Sequence, residues 1–295
     1  MRTTLNPLLR GGAAAAAFAI TLFGAQQAKA VGTIEVFQEL FLSLDVSGSI
    51  SGGDFDLYQD GYVNAFNNAT VQAKIADTFD KGGLAIAVGQ WSTTAFTPPV
   101  IGWQHITDLT TDGVNGGTSL SSFITALSAM PRQGFGVTCV NCGMADAINE
   151  INTNDFFTTR ANGRVIDIST DGAGNTTGGG CGTVAQCAQA QRASAVASNI
   201  IINGLGVGAS ASTFLTANVV TPLNGATKAG FVETANNFGQ FEAAITNKLI
   251  REVGPPVPGP GDSVPGPLPI LGAGAAFGFS RKLRRRINTA NFHQA

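Results

Sequence analysis

The chain has 295 residues, 44 % hydrophobic and 12 % charged, with a formal net charge of −2. This composition describes a globular protein with ample core and excludes a disordered chain or a basic nucleic-acid binder. Three of the 17 basic residues precede residue 31 and five lie at 281–286, so nine remain in the middle beside all 19 acidic residues; that balance of −10 disfavours nucleic acid and anionic membranes as partners.

Arg2 and Arg10, an apolar run over 13–25 and Ala28-Lys29-Ala30 predict a secretory signal over 1–30, cut by signal peptidase after Ala30. The alternative is an uncleaved anchor, for which the run falls short of the ~20 residues a spanning helix needs. Residues 31–253 then read as one α/β domain, a doubly wound and mostly parallel sheet flanked by helices on both faces. Strands are expected at about 39–45, 84–91, 97–101, 164–169, 200–207 and 230–234, the third as an antiparallel edge. Helices are expected at about 55–67, 71–79, 119–130, 143–152, 184–198, 212–219 and 238–250.

The first strand runs into Leu44-Asp45-Val46-Ser47-Gly48-Ser49, which sets one carboxylate and two hydroxyls at i, i+2 and i+4. At the carboxyl end of a strand such a loop faces the crevice where open sheets bind ligands, and hard oxygen donors suit Mg²⁺ or Ca²⁺. The plainer reading is a polar turn that caps the next helix through Ser49 or Ser51. A second strand, residues 164–168, ends in Ser169-Thr170-Asp171-Gly172.

Cys139 and Cys142 form one local pair, Cys181 and Cys187 another. In an exported chain four loop cysteines point to two disulfides, with three connectivities open; zinc is the runner-up. Gly204-Leu205-Gly206-Val207-Gly208 lacks the third glycine of a dinucleotide loop at the required spacing and reads as a strand entering a Gly-rich turn. His105 reads as a structural loop histidine, Asp146 and Glu150 as a solvated helix face, and Asp167 as pointing away from the oxygen-rich loops. No His-based catalytic constellation is found, so the chain is read as a non-enzyme.

Asp-x-Ser-x-Ser, a distant Thr and a distant Asp followed by Gly resemble the metal-ion-dependent adhesion site (MIDAS) of the von Willebrand factor A (VWA) superfamily. The likeness covers about residues 37–253. It is carried also by Gln90-Trp91-Ser92, Ile101-Gly102-Trp103, Arg164-Val165-Ile166-Asp167-Ile168-Ser169 and Ile202-Asn203-Gly204-Leu205, and is strongest to a little-characterised bacterial branch of VWA-like proteins. The resemblance implies a divalent cation, most simply Mg²⁺ with Mn²⁺ or Ca²⁺ as alternatives, held by Asp45, Ser47, Ser49, Thr138 and Asp171. The hydroxyls would touch the metal, the carboxylates would act largely through water, and one position would stay open for an acidic group of a partner. Thr118 competes with Thr138, but only Thr138 precedes a helix leading directly into the strand that carries the second Asp; Thr118 is then expected to cap the helix after it. The segment around Thr138 departs from the family's common Gly-Gly-Thr, being interrupted by two cysteines.

Beyond Val253 a Pro/Gly-rich spacer (254–267) leads to a short apolar segment with the basic cluster Arg281-Lys282-Leu283-Arg284-Arg285-Arg286 (268–286) and a polar tail (287–295). This resembles the PEP-CTERM class of sorting signals, with Val-Pro-Gly-Pro where that class has Pro-Glu-Pro. It implies transient membrane association through the C-terminal segment and processing by an exosortase-type enzyme. The expectation is an exported binding module at the periplasm, cell surface or matrix, which recognises a carboxylate on a protein or polysaccharide. The alternative is a Mg²⁺-dependent extracytoplasmic hydrolase using the same oxygens.

Overall fold

A computed structural model describes residues 32–254 apart from 180 and 226. The expected leader and, beyond Gly254, the spacer, sorting segment and polar tail lie outside the described residues. The elements are β1 (Ile34–Glu35), β2 (Gln38–Asp45), α1 (Gly52–Asn67), α2 (Ala69–Ala76), β3 (Leu84–Trp91), β4 (Ala95–Asp108), β5 (Thr118–Ser119), α3 (Leu120–Ser128), α4 (Val140–Thr153), β6 (Phe156–Phe157), β7 (Arg164–Thr170), α5 (Val184–Ala197), β8 (Ile201–Val207), α6 (Ala209–Asn218), β9 (Val232–Ala235) and α7 (Phe241–Glu252).

Seven strands form one sheet in the order β5-β4-β3-β2-β7-β8-β9, with every pairing parallel except β3 with β4. Its central strands β2, β3, β7 and β8 are buried on both faces, which explains why they read as nearly continuous apolar runs. Successive side chains of β2 enter different cores: Leu40, Leu42 and Leu44 meet α1, α2, α3 and α7, while Phe41 meets α4, α5 and α6. Each large apolar side chain so buried contributes about 1.5–3 kcal/mol. This is the doubly wound, mostly parallel α/β fold expected from the sequence.

The structure corrects three local expectations. The third strand runs to Asp108 through Pro98-Pro99, and two-residue β5 covers its outer side, so it is antiparallel but not the edge. The prolines fall where the register with β3 shifts, the kind of position where a missing N–H breaks no regular ladder. His105 lies in this strand rather than a loop, its Nε2 bonded to the Gly82 carbonyl at 2.7 Å. Asp146 and Glu150 are not simply solvated, because β4 packs Trp103 against α4: the indole N–H donates to Glu150 at 3.1 Å, and Asp146 is half-buried.

The sheet order decides where loops converge. From β2 the chain passes to β3 on one side and, after α4, to β7 on the other, so the crevice beyond Asp45 is a topological switch point. Asp45 is level with Trp91 of β3, and Leu44 with Ser169 of β7, which brings the loops after β2 and β7 side by side.

Candidate functional site

The loop after β2 is shaped by its own carboxylate. Asp45 is fully buried; its Oδ1 accepts from the Ser47 N–H at 2.8 Å and its Oδ2 from the Thr170 hydroxyl at 2.6 Å. Ser51, not Ser49, caps α1: its hydroxyl accepts from the Asp54 N–H at 3.1 Å while its own N–H donates back to the Asp54 carboxylate at 3.2 Å. Ser49 is thereby released from capping and donates to Asp171 Oδ1 at 2.8 Å.

Thr138 arrives from the third side. Its hydroxyl donates to Ser47 Oγ at 3.0 Å, and Ser47 and Ser49 hydroxyls lie 3.2 Å apart. All five residues singled out by sequence therefore join one hydrogen-bonded cluster. Thr118 does not: it pairs with Ile106 in β5, three strands from β2, roughly 14 Å at the usual strand spacing. Nor does Thr118 cap α3; Ser119, the residue immediately before the helix, does, accepting from the Ser122 N–H at 3.2 Å.

The long segment before Thr138 is fixed by Arg132, which no motif announces, and by Gln90 of the Gln90-Trp91-Ser92 stretch. Arg132 Nη2 donates to the carbonyls of Val46 (3.1 Å) and Ser47 (2.8 Å), and its Nε to Gly134 (2.8 Å), stitching this segment to the β2 loop. Gln90 at the end of β3 both donates to Pro131 O at 3.0 Å and accepts from Gln133 N–H at 2.8 Å. Gly48 N–H donates to Gly136 O at 2.7 Å, and a Cβ at Gly48 would stand 2.8 Å from Phe135 O, so this approach requires glycine. Asn175, beyond Asp171, holds Thr138 from the far side: its Oδ1 accepts from the Thr138 N–H and its own N–H donates to Thr138 O, each at 2.9 Å.

The cysteines pair locally, Cys139 with Cys142 and Cys181 with Cys187, which settles the connectivity and leaves no thiol for zinc. The first bridge closes the start of α4 immediately after Thr138. Gly178 packs against both of its sulfurs, so close that a Cβ there would lie 2.5 Å from Cys142 Sγ. The second ties the loop after β7 to the first turn of α5.

Burial grades across the cluster. Asp45, Ser47 and Thr138 are buried, Asp171 is half-buried and Ser49 is exposed, so the oxygens open outward at Ser49 and Asp171. Burial pushes the Asp45 carboxyl up to about 6, against the hydrogen bonds from Thr170 and Ser47 and with the nearby Asp171 charge adding to the rise. Asp171 is raised too, by burial first, with Ser49 opposing. Both carboxylates act on the Arg132 guanidinium, whose Nη2 and Nε donate to backbone carbonyls while its buried Nη1 has no hydrogen-bond partner among the described residues.

This donor set suits a hard divalent cation. Neighbouring ligands of an octahedral ion at about 2.1 Å are about 3.0 Å apart, and the hydroxyl spacings of 3.0 and 3.2 Å match that edge as well as they match mutual hydrogen bonds. Among the described residues no group of three or more His, Cys, Asp or Glu side chains could hold a metal, so a cation here has to use the hydroxyls. Ser47, Ser49 and Thr138 would hold it, with Asp45 and Asp171 supplying the charge.

The family model described as "Protein of unknown function (DUF1194)" matches residues 35–257. The chain belongs to this family. No curated protein matches it. Among solved structures, this DUF1194 chain is similar to proximal thread matrix protein 1 from the mussel byssus, with 16 % identity and a TM-score of 0.48 over 74 % of the chain and 46 % of that protein. The structure of that mussel protein with a zinc-occupied MIDAS motif is similar at 14 % identity and a TM-score of 0.49, over 74 % and 48 %. An aerotolerance-related membrane protein from Bacteroides fragilis is similar at 17 % identity and a TM-score of 0.40, over 73 % and 100 %. The chain spans less than half the length of the mussel protein.

Proposed function

We propose that this DUF1194 protein is an exported binding module that holds a divalent cation, Mg²⁺ first, through Ser47, Ser49 and Thr138 with Asp45 and Asp171 behind them, and through it captures a carboxylate of a protein or polysaccharide partner at the cell surface or matrix. One observation carries the reading: three hydroxyls from two separated segments and the Asp171 carboxylate form a single chain at 2.8–3.2 Å above a buried Asp45, at the switch point of the sheet. Neutral hydroxyl ligands would leave the cation electrophilic, so an outside carboxylate gains by completing its shell. Two disulfides fit an oxidising compartment.

The test is calorimetric titration of Mg²⁺, Mn²⁺ and Ca²⁺ into the full chain made through an oxidising export route, beside Ser47→Ala and Thr138→Ala. Saturable one-site binding, lost in both variants, is the expected result. No binding by the wild type, or equal binding by the variants, overturns the assignment. Metal-dependent turnover of a phosphoester or glycan that vanishes in Asp45→Ala would replace the binding module with a hydrolase.

A further inference from the structure

At the other end of the sheet a cavity of about 300 Å³ opens between the loop before β7, the starts of β7 and β8 and the end of α7. That volume is at the lower end for small-ligand sites. Val165, near the start of β7, lines it, whereas Asp171 follows the end of the same strand, so the two sites are roughly 20 Å apart at about 3.3 Å per residue.

The walls of this cavity run against the charge of the chain. Residues 32–254 carry nine basic and 18 acidic side chains, yet Arg160, Lys228 and Arg251 all line this one cavity. Arg251 is partly spent, paired with Glu233 and stacked on Phe231. Arg160 is half-buried, donates to Phe37 O at 3.1 Å and lies 3.5 Å over the Phe37 ring, with no acidic partner among the described residues. Burial pushes its pKa down and no carboxylate opposes the shift. Lys228 is positioned by its backbone N–H, which donates to Asn162 Oδ1 at 2.7 Å, while its ammonium has no partner among the described residues.

The one carboxylate of the lining is already satisfied. Glu252 accepts from Lys248 at 3.1 Å and from Asn203 at 2.8 Å. Burial pushes its pKa well up, against Lys248 and with Asp167 adding to the rise, and its carboxylate is already engaged by the Lys248 ammonium rather than by the cations of the cavity. The cavity therefore presents two uncompensated cations above apolar walls from Val165, Ile201 and Phe231. A planar guanidinium and an ammonium lining one cavity both suit the oxygens of a carboxylate or phosphate.

We propose that this cavity is a second, metal-independent site for a small organic oxyanion, a carboxylate or phosphate on a short apolar or aromatic body, with Arg160 and Lys228 gripping the oxygens. The experiment is calorimetry on the full chain in the presence of a chelator, with phenyl phosphate, benzoate, inorganic phosphate and the neutral benzyl alcohol as probes. Phenyl phosphate or benzoate should bind saturably at one site, the tighter of the two naming the oxyanion, and benzyl alcohol should not. Lys228→Glu, at an exposed position, should keep the thermal midpoint and weaken binding at least about tenfold; Arg160→Gln should weaken it likewise, but loosens the Phe37 stack. Absence of saturable anion binding, binding of inorganic phosphate alone, benzyl alcohol binding as tightly as benzoate, or undiminished affinity in Lys228→Glu would each overturn the proposal.

Discussion

Lys248→Met should be the most damaging single change outside the hydroxyl–carboxylate cluster of Asp45, Ser47, Ser49, Thr138 and Asp171. Lys248 is fully buried, its ammonium 2.6 Å from Asp167 and 3.1 Å from Glu252, both also buried. Methionine fills much the same volume but leaves two carboxylates facing each other without a cation. Removing one partner of a buried ion pair costs about 3–5 kcal/mol, which in a domain of this size is a fall in Tm of about 6–20 °C. The loss must also depend on pH. Burial already holds the Glu252 carboxyl well above its unfolded pKa, and without the lysine the charge that opposes this rise is gone, so the folded variant binds extra protons. Its stability relative to wild type is then greatest at low pH and falls as pH rises through the folded-state pKa of Glu252. Thermal unfolding followed by circular dichroism at pH 5 and pH 8 reads both effects, with the larger deficit expected at pH 8. A deficit below about 1 kcal/mol at pH 8, or one equal at both pH values, would refute the role given to this ion cluster. Replacing Asp167, Lys248 and Glu252 together by apolar residues of similar volume should recover most of the loss.

Asp146→Asn should act in the opposite sense: burial, with Glu150 adding, raises this half-buried carboxyl to about 6, so its ionisation costs stability as pH rises from about 4 to 6 and beyond. After discounting for partial exposure, the variant should gain about 1 kcal/mol at pH 8 and nothing at pH 4 in the same unfolding assay. Gly48→Ala drives a Cβ to within 2.8 Å of Phe135 O; it should cost about 1–3 kcal/mol and, under the proposed cation-binding role, abolish the rise in Tm expected of the wild type on adding Mg²⁺. Thr118→Ala should leave that Mg²⁺-induced rise intact while Thr138→Ala removes it, since only Thr138 reaches Ser47; the reverse would return the assignment to Thr118.

The long elements were legible because their signals are local. The short apolar run Leu84-Ala85-Ile86-Ala87-Val88, preceded by Gly82-Gly83, reads as a buried strand, and all eight residues of Leu84–Trp91 are buried in the structure. The Asp-x-Ser-x-Ser loop is equally local, and Thr138 was reachable through chain connectivity. What stayed hidden depends on distant partners. Lys248 and Glu252, four apart on a helix, look like a surface pair, and only Asp167 on β7 shows that they face inward. Arg132 leaves no pattern at all, since its acceptors are backbone carbonyls 85 and 86 residues earlier. Asp146 and Glu150 lost their solvated face only when β4 ran on past Pro98-Pro99 and carried Trp103 over α4.

The anchoring of the cluster bears on how it would bind. Its three loops are each tied down by something outside themselves: the β2 loop by Arg132, the Thr138 segment by Gln90, Asn175 and the Cys139–Cys142 bridge, the β7 loop by packing on that bridge and by Thr170 on Asp45. A site so held has little ordering entropy left to lose when it is filled, and that saving appears directly as affinity. By the same rigidity the disulfides would share in binding, although no cysteine belongs to the hydroxyl–carboxylate cluster. Reduction should loosen the start of α4 beside Thr138 and weaken the cation more than it weakens the fold, because α4 is also held by Val140, Met144, Ile148 and Ile151 in the core. If reduced protein bound Mg²⁺ as tightly as oxidised protein, the rigidity of the Thr138 segment would have to come from Arg132, Gln90 and Asn175 alone.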